Sequence, residues 1–175
     1  MFEIGVAQGG SLDMWNRYFG PYAQIVGIDI NPDCKRLESD QISIRIGDQA
    51  DAAFLGQLIE EFGHPDVVID DGSHRMSDIS NTFEFLYPKL SPNGVYFVED
   101  LHTCYWPEYE GGLHKPESFI ELAKQLIDEL NAMHTRGAMS ETEFSRTTTG
   151  IHFYDSCIAF ERGRDISKRH VRTGG

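Results

Sequence analysis

Two short segments carry most of the chemistry this sequence can do: Asp70-Asp71-Gly72-Ser73-His74 and Glu99-Asp100-Leu101-His102. Each follows a short apolar run, Val67-Val68-Ile69 or Val95-Tyr96-Phe97-Val98, of the kind that makes a buried strand. If those strands are parallel neighbours, the four carboxylates of Asp70, Asp71, Glu99 and Asp100 meet in one crevice. Like charges at such range raise one another's pKa unless a proton or a cation intervenes. Oxygen ligands select a hard ion, Mg²⁺, Mn²⁺ or Ca²⁺, over zinc. His74 follows Asp71 closely enough to reach a substrate held by that ion, where a neutral imidazole serves as general base. The competing reading of each acid taken singly is a solvated loop carboxylate. His102 reads as structural or as support for the ligands.

The ends of the earlier strands offer a second kind of chemistry. The first strand runs into Gly5-Val6-Ala7-Gln8-Gly9-Gly10-Ser11, a GxxxGG turn and not the GxGxxG of the dinucleotide fingerprint. Glycines there let the backbone turn tightly and approach a ligand, although a tight strand-to-helix turn needs them without any ligand. The second strand ends in Gly27-Ile28-Asp29, and an acid roughly 20 residues after the glycine turn is placed to accept both hydroxyls of a ribose. The third ends in Gly47-Asp48-Gln49, beside Asp29; Asp48 can accept from an adenine amine, or simply cap the helix that starts near Ala50. Tyr105-Trp106-Pro107 and Tyr109 follow the second acid pair. Aromatics there read equally as a wall for a sugar or flat acceptor, or as a loop packed on its own core.

The elements that position these residues alternate. Strands are expected at Phe2–Val6, Ile25–Ile30, Ile42–Ile46, Val67–Ile69 and Val95–Val98. Helices are expected at Ser11–Phe19 with Ser11 as cap, Ala50–Phe62 ended by Gly63, Ile79–Leu90, and about Glu117–His134. That order predicts an α/β fold, a doubly wound, mostly parallel sheet. Ile151–Tyr154 and Cys157–Phe160, linked only by Asp155-Ser156, can only pair as an antiparallel hairpin. The reading is one domain over 1–162 with a frayed Gly/Arg-rich tail over 163–175, and His64, His114, His134, His152 and His170 as structural residues.

Of 175 residues 40% are hydrophobic, the composition of an ordinary globular domain. The formal charge of −13 argues against nucleic acid or an anionic membrane as partner and favours cations. Cys34, Cys104 and Cys157 form no CxxC pair, which fits a reduced, cytoplasmic protein. No apolar run approaches the ~18–20 residues of a membrane span, and no signal peptide is apparent. The chain opens at once on a core strand, which is compatible with a core cut from a longer protein.

Taken in order, EIGVAQGGS, GIDIN, GDQAD, DDGSH, VEDLHTCYWPEY and the closing IHFYDSCIAFERG resemble the metal-dependent macrolide sugar O-methyltransferases of the mycinamicin and demethylmacrocin type. The resemblance runs through nearly the whole chain. It implies the seven-stranded class I methyltransferase fold, S-adenosylmethionine and Mg²⁺ as cofactors, and transfer to a hydroxyl of a small molecule, plausibly a natural-product sugar in antibiotic biosynthesis. It implies that Glu3, Gly5, Gly9 and Ser11 belong to the cofactor-binding first turn. Asp29 then takes the ribose, Asp48 and Gln49 face the adenine, and Asp70 lies near the methionine end. Asp71, Glu99 and Asp100 match the Mg²⁺ ligands and His74 the base, while Tyr105 and Trp106 stand as candidate substrate residues on their own chemistry. The family's additional N-terminal region, which helps complete the acceptor pocket and the oligomer, has no counterpart here, and a homo-oligomer stays compatible with the reading. Three alternatives remain: a related branch resembling cephalosporin hydroxylase, a nicotinamide oxidoreductase, and a non-catalytic cofactor- or metal-binding core.

Overall fold

The computed structural model describes residues 1–166 and 173–174; His170 and most of the expected tail lie outside the described residues. A single seven-stranded sheet organises them, in the order β3-β2-β1-β4-β5-β7-β6. Strands β1 (Phe2–Ile4), β2 (Ile25–Asp29), β3 (Ile42–Ile46), β4 (Val67–Asp70) and β5 (Val95–Val98) are all parallel. β6 (Thr148–Tyr154) and β7 (Cys157–Arg162) form the expected antiparallel hairpin, with β7 inserted beside β5.

After β3 the chain crosses back to lay β4 against the other side of β1. Loops leaving β1 and β4 therefore diverge, and the crevice between them lies at the carboxyl ends of the strands, where open α/β sheets bind ligands.

Helices α2 (Ala52–Phe62), α3 (Met76–Leu86) and α4 (Phe119–Leu130) cover one face, and α1 (Gly10–Phe19) the other. The strands are short, apolar and β-branched because both faces are buried: Phe2, Ile4, Val26, Ile28, Val68 and Val98 pack with Leu55, Phe83 and Phe119, while Val6, Ile25 and Ile44 pack with Leu12. Each such side chain removed from water contributes about 1.5–3 kcal/mol.

Several boundaries differ from expectation for local reasons. Ser11 does not cap α1. The cap is Gly9, in left-handed backbone at φ 78, and Ser11 lies within the first turn. α2 starts at Ala52 because Asp51 caps it, accepting from the amides of Ala53 at 2.8 Å and Phe54 at 3.3 Å. α3 begins earlier than expected and passes at its end into a 3₁₀ turn, Tyr87–Lys89, which contains Pro88. A short helix α5 (Glu143–Thr147), closed by a Thr142–Ser145 capping box, has no counterpart in the sequence pattern.

Candidate active site

The glycine turn after β1 is built around Asp29. Its Oδ2 accepts from the amides of Val6 at 2.9 Å and Ala7 at 3.1 Å, and its Oδ1 accepts from Asn31 at 2.8 Å. Burial alone would raise this carboxyl, but the three amides and the Cys34 thiol outweigh it and hold the pKa below its ordinary value. Gly5 must be glycine: its φ is 87°, and a Cβ there would run into the Asp71 carbonyl. That contact packs the β1 turn directly against the end of β4.

A cleft of about 230 Å³ opens over these turns, lined by Gly5, Asp29, Asp48 and Gln49 together with Gly72, Ser73 and Asp78. Asp48 contributes to the wall while its Oδ1 accepts from the Ala50 amide at 2.9 Å; it makes a turn before α2 and is not the cap. Gln49 lines the cleft, but its amide is committed to the protein. It donates to Asp70 Oδ1 at 3.2 Å and Thr82 at 3.1 Å, and accepts from the Ser73 amide at 2.7 Å. Its observed role is to buttress the wall. Gly9 and Ser11 do not line the cleft. Ser11 instead faces Glu3, which is 2% exposed in the middle of β1.

Glu3 is pushed up to about 7, first by burial and then by the charges of Asp71 and Glu99, with the Ser11 hydroxyl and Trp15 indole pulling the other way. Its Oε2 is buried without a hydrogen-bond partner, a state that costs about 1–3 kcal/mol unless something fills it.

The expected group of four acids divides. Asp70 ends β4 and Asp71 follows it, its amide still bonded to the Ile4 carbonyl at 2.9 Å, so their side chains leave on opposite faces. Asp70, 1% exposed, turns into the core, where its Oδ2 accepts from the Tyr96 hydroxyl at 2.9 Å, and burial pushes it up to about 7. It lies beneath the crevice and takes no part in the cluster.

Asp71, His74 and Asp100 do converge, each offering one atom within 4.8 Å of the others. His74 Nε2 stands 3.9 Å from Asp71 Oδ1 and 3.9 Å from Asp100 Oδ2. The expected trio was Asp71, Glu99 and Asp100; among the described residues Glu99 does not join the group. Asp100 sits in left-handed backbone at φ 53, with its Oδ2 facing His74. Glu99 nevertheless adjoins the cluster: burial raises its carboxyl, and the charges of Asp71 and Asp100 raise it further. Asp71 is likewise raised by burial, with Asp100 adding to the shift and His74 opposing it. His74 is also left-handed, at φ 57. Non-glycine residues in this region are strained and persist where their surroundings over-determine them.

His102 stands beside the cluster. Its Nδ1 is 2.7 Å from Ser156 Oγ at the hairpin tip and 3.9 Å from Asp100 Oδ1. Trp106 packs edge-on against His102 with centroids 4.7 Å apart and meets Tyr109 at 6.0 Å, and Tyr109 reaches His74 at 6.4 Å. Trp106 and Tyr109 thus wall the cluster. Tyr105 turns away to line a separate hollow of about 210 Å³ with Phe153 and Tyr154. Of the other histidines, His64 Nδ1 lies 2.6 Å from the Lys89 carbonyl, His114 3.6 Å from Glu121 and His152 3.3 Å from Glu161.

Sequence reasoning missed Ser73, Asp78, Arg75 and Glu110. Ser73 Oγ donates to Asp78 Oδ2 at 2.7 Å, and Glu110 pairs with Arg75 and accepts from the Ser77 amide at 3.0 Å. An acid in the first turn of α3 was the one signal in the sequence, and it pointed to Asp78 alone.

No family model matches the chain. It is 35% identical, over 94% of its own length, to the mycinamicin VI 2''-O-methyltransferase of Micromonospora griseorubida. It is also 35% identical, over 91% of its length, to the 8-demethyl-8-alpha-L-rhamnosyl tetracenomycin-C 2'-O-methyltransferase of Streptomyces olivaceus. The chain is a homologue of the sugar O-methyltransferases. It spans 44% of the length of each of these relatives. The MycE methyltransferase of the mycinamycin pathway, solved in complex with Mg and SAH, superposes with a TM-score of 0.86 at 35% identity, covering 94% of this chain and 45% of that one. The seven-stranded mixed sheet of this sugar O-methyltransferase homologue is therefore the class I methyltransferase fold. Among its described residues, no helix is long and apolar enough to cross a membrane.

Proposed function

We propose that the chain transfers a methyl group from S-adenosylmethionine to a hydroxyl of a small molecule, a sugar of a natural product, with a hard divalent cation at the acceptor. The observation that carries this reading is the Asp71–His74–Asp100 cluster standing beside a glycine-cradled cleft at one end of one sheet. The residues present fit both groups. The backbone is bare at Gly5 and Gly72, Glu3 Oε2 is an orphaned acceptor suited to a cationic amine, and the cluster supplies hard oxygen ligands. The relatives methylate mycinamicin VI and a rhamnosyl tetracenomycin, and MycE binds Mg and SAH, which agrees with this chemistry.

When bound, the sulfonium supplies a methyl group already activated for transfer, and the cation supplies Lewis acidity at the acceptor oxygen. Asp29, kept ionised by its amides, accepts the ribose hydroxyls, and Asp48 takes the adenine edge. Glu3 receives the ammonium of the amino-acid end. Asp71 and Asp100 hold the cation, with Glu99 beside them to complete the set. Nε2 of His74 removes the acceptor proton, and the imidazolium that forms is stabilised by the two carboxylates flanking it. Trp106 and Tyr109 exclude water from one side and orient the acceptor ring. A small-molecule partner and the reduced cytoplasm fit a charge of −13 and three free cysteines.

Calorimetry tests the cofactor, with S-adenosylhomocysteine expected to bind and NAD not. A methylation assay with Mg²⁺ on methyl α-L-rhamnopyranoside and larger glycosides tests the reaction. Failure to bind S-adenosylhomocysteine overturns the proposal.

A further inference from the structure

His74 is held from both sides. On its amino side, the Ser73 amide donates to Gln49 Oε1 at 2.7 Å, and the Ser73 hydroxyl donates to Asp78 at 2.7 Å while accepting from the Arg75 amide at 3.2 Å. On its carboxyl side the tether comes from a distant segment. The Arg75 guanidinium pairs with the Glu110 carboxylate, whose second oxygen accepts from the Ser77 amide at 3.0 Å in the first turn of α3. That turn leaves backbone N–H groups without helical partners, and a carboxylate placed there is favoured by the helix dipole. The Ser77 hydroxyl and amide, with Arg75, hold the Glu110 carboxyl down at about 2.

Glu110 closes a tight loop. The Gly111 amide donates to the Trp106 carbonyl at 2.9 Å, the Gly112 amide to Cys104 at 2.8 Å, and Lys115 Nζ to the Glu110 carbonyl at 2.7 Å. Any side chain at Gly111 would strike the backbone of Cys104 and Thr103 at 2.5 Å. The loop carrying Trp106 and Tyr109 is therefore tied to itself, and Glu110, in left-handed backbone at φ 66, links it to the segment carrying His74. The Tyr109 ring also stands against His74, and Asp100 Oδ2 lies 3.9 Å from its Nε2.

We propose that Glu110 is a positioning residue: by clasping Arg75 and the Ser77 amide it fixes His74 and the Trp106–Tyr109 wall in one register over the Asp71–Asp100 cluster. The inference rests on the methyl-transfer reading for its catalytic consequence, but the clasp itself can be measured without turnover. A mismatch of about 1 Å in such a register can cost on the order of 100-fold in rate.

The experiment compares wild type, Glu110→Gln and, as a control at the partly buried Glu121–Lys124 ion pair on α4, Glu121→Gln. Amide hydrogen exchange is followed across the chain, with calorimetry for S-adenosylhomocysteine, Mn²⁺ binding by water-proton relaxation, and kcat and KM with methyl α-L-rhamnopyranoside. Glu110→Gln is expected to speed exchange at residues 73–77 and 101–112 together, to leave cofactor and Mn²⁺ affinity within about twofold, and to lower kcat about 10–100-fold with KM for the methyl donor unchanged. Glu121→Gln should change none of these. Glu110→Asp, with the charge kept, should recover part of the kcat loss. Faster exchange at 101–112 alone, or at neither segment, overturns the proposal, as does loss of cofactor binding in step with kcat. If wild type leaves the probe unmethylated, it is the acceptor reading that fails, and the exchange result still decides the clasp.

Discussion

Glu3 and Asp70 are carboxyl groups inside the sheet, and burial pushes each up to about 7. Because both folded values lie above the unfolded ones, the native chain keeps protons that the unfolded chain has released. Stability therefore falls as pH rises from the ordinary carboxylate range to about 7, then levels off. Glu3→Gln removes one of these titrations. Urea melts of the ligand-free protein should show the variant more stable than wild type by about 1–3 kcal/mol near pH 8, with the difference vanishing near pH 4. The same variant should bind S-adenosylhomocysteine more weakly, since a charged acceptor is lost. Asp29→Ala should weaken that binding by about 1–3 kcal/mol, the scale for a lost buried polar partner, and an unchanged affinity in calorimetry would remove Asp29 from the ribose. Asp29 was legible in the sequence because its position at a strand end sets its surroundings. Gln49 was not, because the groups that occupy its amide, Asp70, Thr82 and Ser73, come from segments 21–33 residues away. Asp70 was grouped with Asp71 because a string of letters shows adjacency, while a strand sends adjacent side chains apart.

At the scale of elements, the apolar strands are legible because burial on both faces alone decides their composition. β3 and β5 fall where the β-branched runs begin and end, and a two-residue link left the hairpin no alternative. The 3₁₀ turns and α5 escaped because their shape comes from tertiary contacts and caps, with no periodicity to reveal them. The turn after β1 is the element on which the cleft depends most. Its glycine at φ 87 lies against the Asp71 carbonyl, so one Cβ would strain the turn and displace the β4 end that carries Asp71. Gly5→Ala is expected to destabilise the fold by about 1–3 kcal/mol and to lower affinity for both S-adenosylhomocysteine and Mn²⁺. Denaturant melts and two binding titrations check this. If only cofactor binding changes, the two turns are not coupled as their packing implies.

For the whole molecule, the reversal of strand order between β1 and β4 divides the labour of the site. Strands β1, β2 and β3 deliver Gly5, Asp29 and Asp48 to the cleft, while β4 and β5 deliver Asp71, His74 and Asp100 to the cluster, with Glu99 beside it. The loop after β4 serves both, giving Gly72 and Ser73 to the cleft and Asp71 and His74 to the cluster, but no residue belongs to the two, so cofactor affinity and metal affinity should be separable at the residue level. The acids of the cluster repel one another: burial raises Asp71 and Glu99, and neighbouring carboxylates raise them further. A cation relieves that repulsion, and a net charge of −13 favours its approach. Protons compete for the same oxygens, so Mn²⁺ affinity should rise with pH through the range in which these carboxylates ionise and then level off. Excess chelator should abolish methyl transfer while leaving S-adenosylhomocysteine affinity within about twofold, because no residue lining the cleft belongs to the cluster. His74→Ala should keep Mn²⁺ binding and slow the chemical step by roughly 10²–10⁴-fold, the range for loss of a general base. Full turnover in chelator would dissolve the link between the cluster and the reaction. Loss of Mn²⁺ binding in His74→Ala would instead make the imidazole a ligand, and the base would have to be sought among Asp71, Glu99 and Asp100.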